Sequence, residues 1–195
     1  MELIQIKKIA HLRNGIPAYQ NISEGEEVIH YKMSNYNREK DMFNDGTKAF
    51  ITSSQVQKHL LCNNDLLLSI KGAKYYCALY NPEYEEKAIA SDSLLVLQVT
   101  DARIMPEYLC WLLNRPETGK ELMISSSNHY IIRKEEVASL GIPLVSLEAQ
   151  ALIIEICKLQ KEKIKIQKEQ ILLYEEIQSY FFSILHRLSL IHISE

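Results

Sequence analysis

The residues with the types that chemistry needs lack the spacing. Asp65 lies upstream of Glu85-Glu86-Lys87, an acid–lysine pattern of the kind that holds a metal in nucleases, but the triplet falls in a charged stretch and is common by chance. Asn81-Pro82-Glu83-Tyr84 is one proline short of the Asn-Pro-Pro-Tyr loop of adenine methyltransferases, and no glycine-rich turn follows a strand to hold a methyl donor. A turn after a strand accounts for it. His11, His30, His59, His129, His186 and His192 are scattered without metal-ligand spacing. Cys62, Cys77, Cys110 and Cys157 include no Cys-x-x-Cys pair and read as buried thiols of a reducing compartment. No serine sits in a nucleophile elbow, and six glycines form no phosphate-binding loop. The chain reads as a binder, not an enzyme, with no cofactor and no metal.

The elements that would position a binding surface change character near Pro143. Before it, short strand-like runs alternate with turns and small helices. Leu66-Leu67-Leu68-Ser69-Ile70 is expected as a buried strand entered through the turn Asn63-Asn64-Asp65. Tyr75 to Tyr80 and Ser93 to Val99 are expected as two more. Pro106 to Asn114 predicts a helix, with Pro106 in its first turn and Pro116 beyond its end. Val137 to Val145 predicts a helix end, Gly141, and an extended apolar stretch through Pro143.

From Ser146 onward no Pro or Gly appears. Ser146 is placed to cap a helix and Glu148 to meet its dipole. Leu152, Ile156, Leu159, Lys163, Ile166, Gln170, Leu173, Ile177, Tyr180 and Ile184 recur at alternating steps of four and three, a heptad seam. A helix from about Ser146 to Arg187 would be roughly 60 Å long and wants a partner helix for its stripe. Lys163 and Gln170 would tune register or partner choice. Lys158, Lys161, Lys163, Lys165 and Lys168, only partly offset by Glu162 and Glu169, read chiefly as a solvated face. The net charge of −3 carries no nucleic-acid signal, so any phosphate contact must come from a local patch or a partner. Met1-Glu2-Leu3-Ile4-Gln5 lacks the pattern of a signal peptide, no apolar run reaches membrane-span length, and the expectation is a cytoplasmic protein.

An ordered series of segments resembles the specificity subunits of type I restriction–modification systems. Lys7-Lys8-Ile9-Ala10-His11-Leu12-Arg13-Asn14-Gly15 resembles the opening of their target-recognition domains. Asn64-Asp65-Leu66-Leu67-Leu68-Ser69-Ile70-Lys71-Gly72 resembles their "Gly-Asp-hydrophobic-Leu-hydrophobic-Ser…Gly" strand and loop, with Asn64 in place of the usual glycine. Ala90-Ser91-Asp92-Ser93-Leu94-Leu95-Val96-Leu97 is similar to the next strand, and Pro106-Glu107-Tyr108-Leu109-Cys110-Trp111-Leu112-Leu113-Asn114 to their "Tyr-Leu…Leu-Asn" helix. Ile142-Pro143-Leu144-Val145-Ser146-Leu147-Glu148-Ala149-Gln150 resembles the lead-in to their long helix, with Val145 in place of a second proline.

The resemblance implies an α+β fold: a compact mixed target-recognition domain over residues 1–145, followed by a long coiled-coil-forming helix over 146–187. It implies recognition of one half of a bipartite sequence in double-stranded DNA. The helix would pair with a second recognition unit, or with itself, and dock the methyltransferase subunits. Those partners methylate adenine with S-adenosylmethionine, and a restriction/motor subunit hydrolyses ATP and cuts DNA. Leu188-Ser189-Leu190-Ile191-His192-Ile193-Ser194-Glu195 resembles the translation of a transposase sequencing adapter, so residues 188–195 are expected to be a tail foreign to the helix.

Within that frame three loops carry side chains suited to base edges or phosphates. One is Lys71-Gly72-Ala73-Lys74-Tyr75-Tyr76, with two cations and two aromatics. Another runs from Lys32 through Ser34, Asn35 and Asn37 to Arg38. The third runs from Ser125 through Asn128, His129 and Tyr130 to Arg133. Two other readings stand beside this one. A coiled-coil interaction scaffold without DNA suits the heptads and the acidic total. A recognition domain of a fused type II restriction–methylation enzyme is hardly separable by sequence.

Overall fold

A computed structural model of the protein describes residues 3–17, 25–39, 42–72, 75–82, 87–125 and 131–191, with the side chains of 123–125 and 186–191 not described. Two compact units divide the chain, Met1–Ala151 and Leu152–Glu195.

The first unit is built on a four-stranded antiparallel sheet. β1 (Leu3–Gln5) leads through a 3-10 turn into β2 (Ala10–Asn14), the first of its strands along the chain. β3 (Glu26–Tyr31), β4 (Tyr36–Asn37), β5 (Met42–Phe43), β6 (Thr47–Ile51) and the short helix α1 (Ser53–His59) follow. Then come β7 (Asp65–Ser69), β8 (Cys77–Tyr80), β9 (Ala88–Ala90) and β10 (Leu94–Val99). The main sheet has the order β2-β10-β7-β8, and a second has the order β6-β3-β9, with β3 and β9 parallel. The unit closes with helices α2 (Pro106–Leu113), α3 (Pro116–Ser125) and α4 (Lys134–Ser139) and strand β11 (Gly141–Pro143), which pairs with β1.

The apolar runs explain this layering. Every residue of β7 is buried because both its faces are covered. Leu67 joins Leu94, Val96 and Tyr80 in a cluster with Tyr31, Ala88 and Ala90 of the second sheet. Alternation turns Leu66 and Leu68 to the opposite face, where α2 packs on β7 and β8. Leu66, Leu67, Leu68, Leu94, Leu95 and Leu97 are all fully buried. Each contributes roughly 1.5–3 kcal/mol relative to exposure.

Several sequence expectations need adjusting. Pro116 does more than lie beyond α2: it opens α3, the other place proline suits a helix. The strand expected from Tyr75 begins at Cys77, and the segment after the third loop contributes a single bridge between Ile131 and Lys71. Cys62 is exposed, against the expectation of buried thiols, whereas Cys77 is buried.

The long helix α5 runs from Leu147 to Ile191. Ser146 caps it as its composition suggests, accepting the Ala149 N–H at 3.3 Å. Its first turn belongs to the first unit, and Gln150 is the reason. That side chain is fully buried. It donates to the carbonyls of Arg103 (2.7 Å) and Val145 (2.9 Å) and accepts the Met105 N–H (2.9 Å). Gln150→Ala removes the partner of three part-buried backbone groups, so urea denaturation should read a loss of about 2 kcal/mol. A loss within error of zero would mean that water replaces the amide without cost. No helix of the described residues is long and apolar enough to cross a membrane. Of the eight C-terminal residues, 188–191 continue the helix and 192–195 lie outside the described residues.

Candidate nucleic-acid interface

A cleft of about 500 Å³ in the first unit is lined by Met33, Ser34, Tyr36, Arg38, Ser69, Lys71, Gly72 and Ser93. Two of the three loops singled out in the sequence therefore meet. One wall is the end of β7. The Ser69 hydroxyl accepts the Tyr76 N–H at 2.8 Å, and the Ser69 N–H donates to the Tyr76 carbonyl at 2.8 Å, closing the loop at its base. Gly72 has φ +101°, a conformation that glycine alone adopts cheaply, at the exposed apex. Ile132 donates to the Ile70 carbonyl at 2.9 Å, tying the segment that leads to exposed Arg133 onto the same loop.

The other wall is the turn Met33–Asn35 with β4. Tyr36 is buried and stacks obliquely on Phe43 (5.0 Å between centroids) and Tyr76 (5.4 Å). The Arg38 guanidinium lies 4.1 Å from the centre of the Tyr76 ring. The ring attracts and orients the cation without neutralising it. The Lys71 ammonium pairs with Asp92 at 2.7 Å, both side chains about half exposed. That hydrogen bond is the main reason the Asp92 carboxyl lies below its ordinary value. The cleft thus presents one guanidinium on an aromatic platform, one ammonium held by an exchangeable carboxylate, and serine hydroxyls between them.

The other sequence candidates are placed differently. Both ends of the Asn35 amide serve its own loop, accepting from the Lys32 N–H (2.9 Å) and donating to the Asp45 carbonyl (3.0 Å). The Asn37 side chain accepts the Glu39 N–H. Lys32 is exposed at the start of the turn, outside the cleft lining. Tyr75 does not join Tyr76. Its ring carbons lie 3.3 Å from where a Cβ on Gly119 would sit, so it packs on α3. Burial pushes its phenol up from its ordinary value. Lys74, Asn128, His129 and Tyr130 lie outside the described residues. Ser69, Ser93, Met33 and Asp92 were not singled out. Only Ser69 had a signal, the serine that ends the apolar strand.

The motif residues hold this surface in place. Asp65, at the head of β7, accepts from Arg13 of β2 at 2.7 Å and from the Cys62 N–H at 3.0 Å. Asn64 has φ +69°, which asparagine tolerates where glycine is the usual choice. A Cβ on Gly15 would lie 2.0 Å from the Ser91 carbonyl oxygen, so this close approach requires glycine. Asn114 pairs with both backbone groups of Cys77, accepting its N–H (2.9 Å) and donating to its carbonyl (2.7 Å), and so finishes the edge of β8.

No protein-family model matches the sequence, and no curated protein matches it. Solved structures do. The HsdS subunit from Thermoanaerobacter tengcongensis superposes with a TM-score of 0.63 at 14% identity, over 85% of this chain. A structure described as the basis of complex assembly and conformational transition of the type I R-M system gives 0.63 at 16% identity, over 86%. The type I restriction-modification S subunit from M. genitalium gives 0.54 at 14% identity, over 84%. The fold is that of type I restriction–modification S subunits. The chain spans 38–40% of the length of these S-subunit relatives. Gly15, Asp65, Asn114 and Gln150, each in one of the segments noted in the sequence, each make a tertiary contact in this chain.

His30, in β3, is 2% exposed, with Nε2 against the Ile16 carbonyl at 3.0 Å. Burial lowers its pKa, the Ile16 hydrogen bond partly offsets this, and nearby Lys32 and Asp92 act in opposite senses. His59 is lowered too, by burial first and then by the Arg13 charge. Both folded values lie below the unfolded one, so both groups are neutral in either state above about pH 6.5. As pH falls through that value the unfolded chain takes protons first and stability drops. His30→Gln should flatten the fall in stability between pH 7 and pH 5.5. An unchanged profile in that variant would assign the fall to other groups.

Proposed function

We propose that this chain recognises one half-site of a bipartite DNA target and directs partner methyltransferase and restriction/motor subunits to it, without chemistry of its own. The observation that carries this reading is the meeting of Arg38, Lys71, Ser34, Ser69 and Ser93 in one concave surface built on a rigid sheet. Arg38 and Lys71 suit phosphate or guanine contacts, and the serines suit base edges. The S-subunit fold supports the same assignment. The residues that position the cleft, Asn35 among them, act on specificity through loop shape. The substrate is double-stranded DNA, the compartment the cytoplasm, and α5 the element that meets a second recognition unit and the methyltransferase.

Lys71 is shared between Asp92 and any phosphate. Asp92→Asn should therefore tighten binding of a labelled random duplex severalfold at low salt and steepen the salt dependence. Fluorescence anisotropy of the chain in complex with its methyltransferase subunit measures this. Unchanged affinity would take Lys71 out of the interface. No salt-dependent binding by either protein would contradict the DNA reading.

A further inference from the structure

Two thiols that the cleft does not use meet where α2 packs on β8. Leu68 stands opposite Cys77 in the sheet, so both share the face that α2 covers. On α2, Cys110 lies one turn before Asn114, and the two side chains point the same way. Asn114 grips both backbone groups of Cys77. Beside it, the Cys110 thiol donates to the Cys77 carbonyl at 3.4 Å and accepts from the Asn114 amide at 3.7 Å. The Cys77 thiol is in turn hydrogen-bonded to the Cys110 thiol. Cys77 is fully buried and Cys110 half-buried. Burial first, and then that hydrogen bond, push the Cys77 thiol up, so it stays protonated at rest. The Tyr75 hydroxyl is buried without a hydrogen-bond partner among the described residues, and both thiols bear on its ionisation. Apolar side chains would fill this layer equally well. Two sulfurs held together add redox chemistry.

We propose that Cys77 and Cys110 form an oxidation site, which a peroxide closes to a disulfide clamping α2 to β8 and a small thiol reopens. Cys110 meets the oxidant first, because it is the one that reaches solvent. Its thiolate attacks one peroxide oxygen, the O–O bond breaks, and Cys110 sulfenic acid and water result. The Cys77 sulfur then attacks the Cys110 sulfur and the S–O bond breaks. The departing hydroxide takes the Cys77 proton and leaves as water. The two sulfurs lose two electrons between them, and one hydrogen peroxide becomes two waters. In a reducing compartment the pair rests open.

The probe is hydrogen peroxide, applied to the chain carrying C62S and C157S, which removes the two thiols outside the pair. Mass spectrometry without reduction should find a chain lighter by two hydrogens, with the Cys77 and Cys110 peptides joined, and dithiothreitol should reverse this. The linked form should melt roughly 4–16 °C above the reduced one. Adding C77S should stop the reaction at Cys110 sulfenic acid, which dimedone traps. Cys110 oxidised beyond sulfenic acid while Cys77 stays a free thiol would overturn the proposal. So would a link that forms only in urea, since it would belong to the unfolded chain. A linked form that melts no higher than the reduced one would overturn the clamp.

Discussion

Asp65→Ala should destabilise the first unit by about 3–5 kcal/mol, the cost of breaking a buried ion pair from one side. Asp65 is 1% exposed and its Arg13 partner 13%. The substitution removes the acceptor for the Arg13 guanidinium and for the Cys62 N–H. Arg13 keeps one further contact, to the Leu60 carbonyl at 2.8 Å, and its Nε already has no partner among the described residues. The cation would then stay buried on a single hydrogen bond. For a unit of this size the melting temperature should fall by roughly 6–20 °C. Asp65→Asn keeps an acceptor for Cys62 and should cost less. Equal and small losses for both variants would mean that the pair contributes register and little energy.

Arg38→Ala combined with Lys71→Ala should leave stability nearly unchanged and weaken binding to every duplex. Both side chains are exposed, and the Lys71–Asp92 pair is a surface pair worth little to folding. Two cations facing one cleft should each release a counterion from bound DNA. The expected loss is about thirty- to a hundredfold at low salt, with the slope of log affinity against log salt reduced by about 2. The measurement is an anisotropy titration at several salt concentrations on specific and random duplexes. A loss confined to one sequence would instead make these cations base readers. An unchanged slope would remove them from the phosphate contacts.

Which parts were legible in the sequence follows from the range of the interactions. β7, β10 and α2 are announced by apolar runs and by proline at a helix start, and α5 by heptad spacing from Leu152 to Ile184. These signals are local. β3 opens on Glu26-Glu27, and its parallel partner β9 lies some sixty residues away, with a pairing that no local pattern carries. α1 has one buried residue, Val56, too few to make a stripe. α3 contains Gly119, which lowers its helix propensity but leaves room for the Tyr75 ring.

The candidate site divides in the same way. Cation-rich and amide-rich loops stood out by composition, and Arg38 and Lys71 do meet in one cleft. Tyr76 joins them while Tyr75 packs on α3, and both lie just before β8, where the sequence places a strand. Asn35 looked like a reader because of its type. Only the fold reveals that its amide is used by the Lys32 N–H and the Asp45 carbonyl.

Selection of bound sites from randomised duplexes tests the central claim most directly, using the chain in complex with the methyltransferase subunit proposed as its partner. Enrichment of one short half-site, lost together with affinity when Arg38 and Lys71 are replaced, is the result this account predicts. No enrichment from a folded complex would contradict it and leave the chain a docking scaffold.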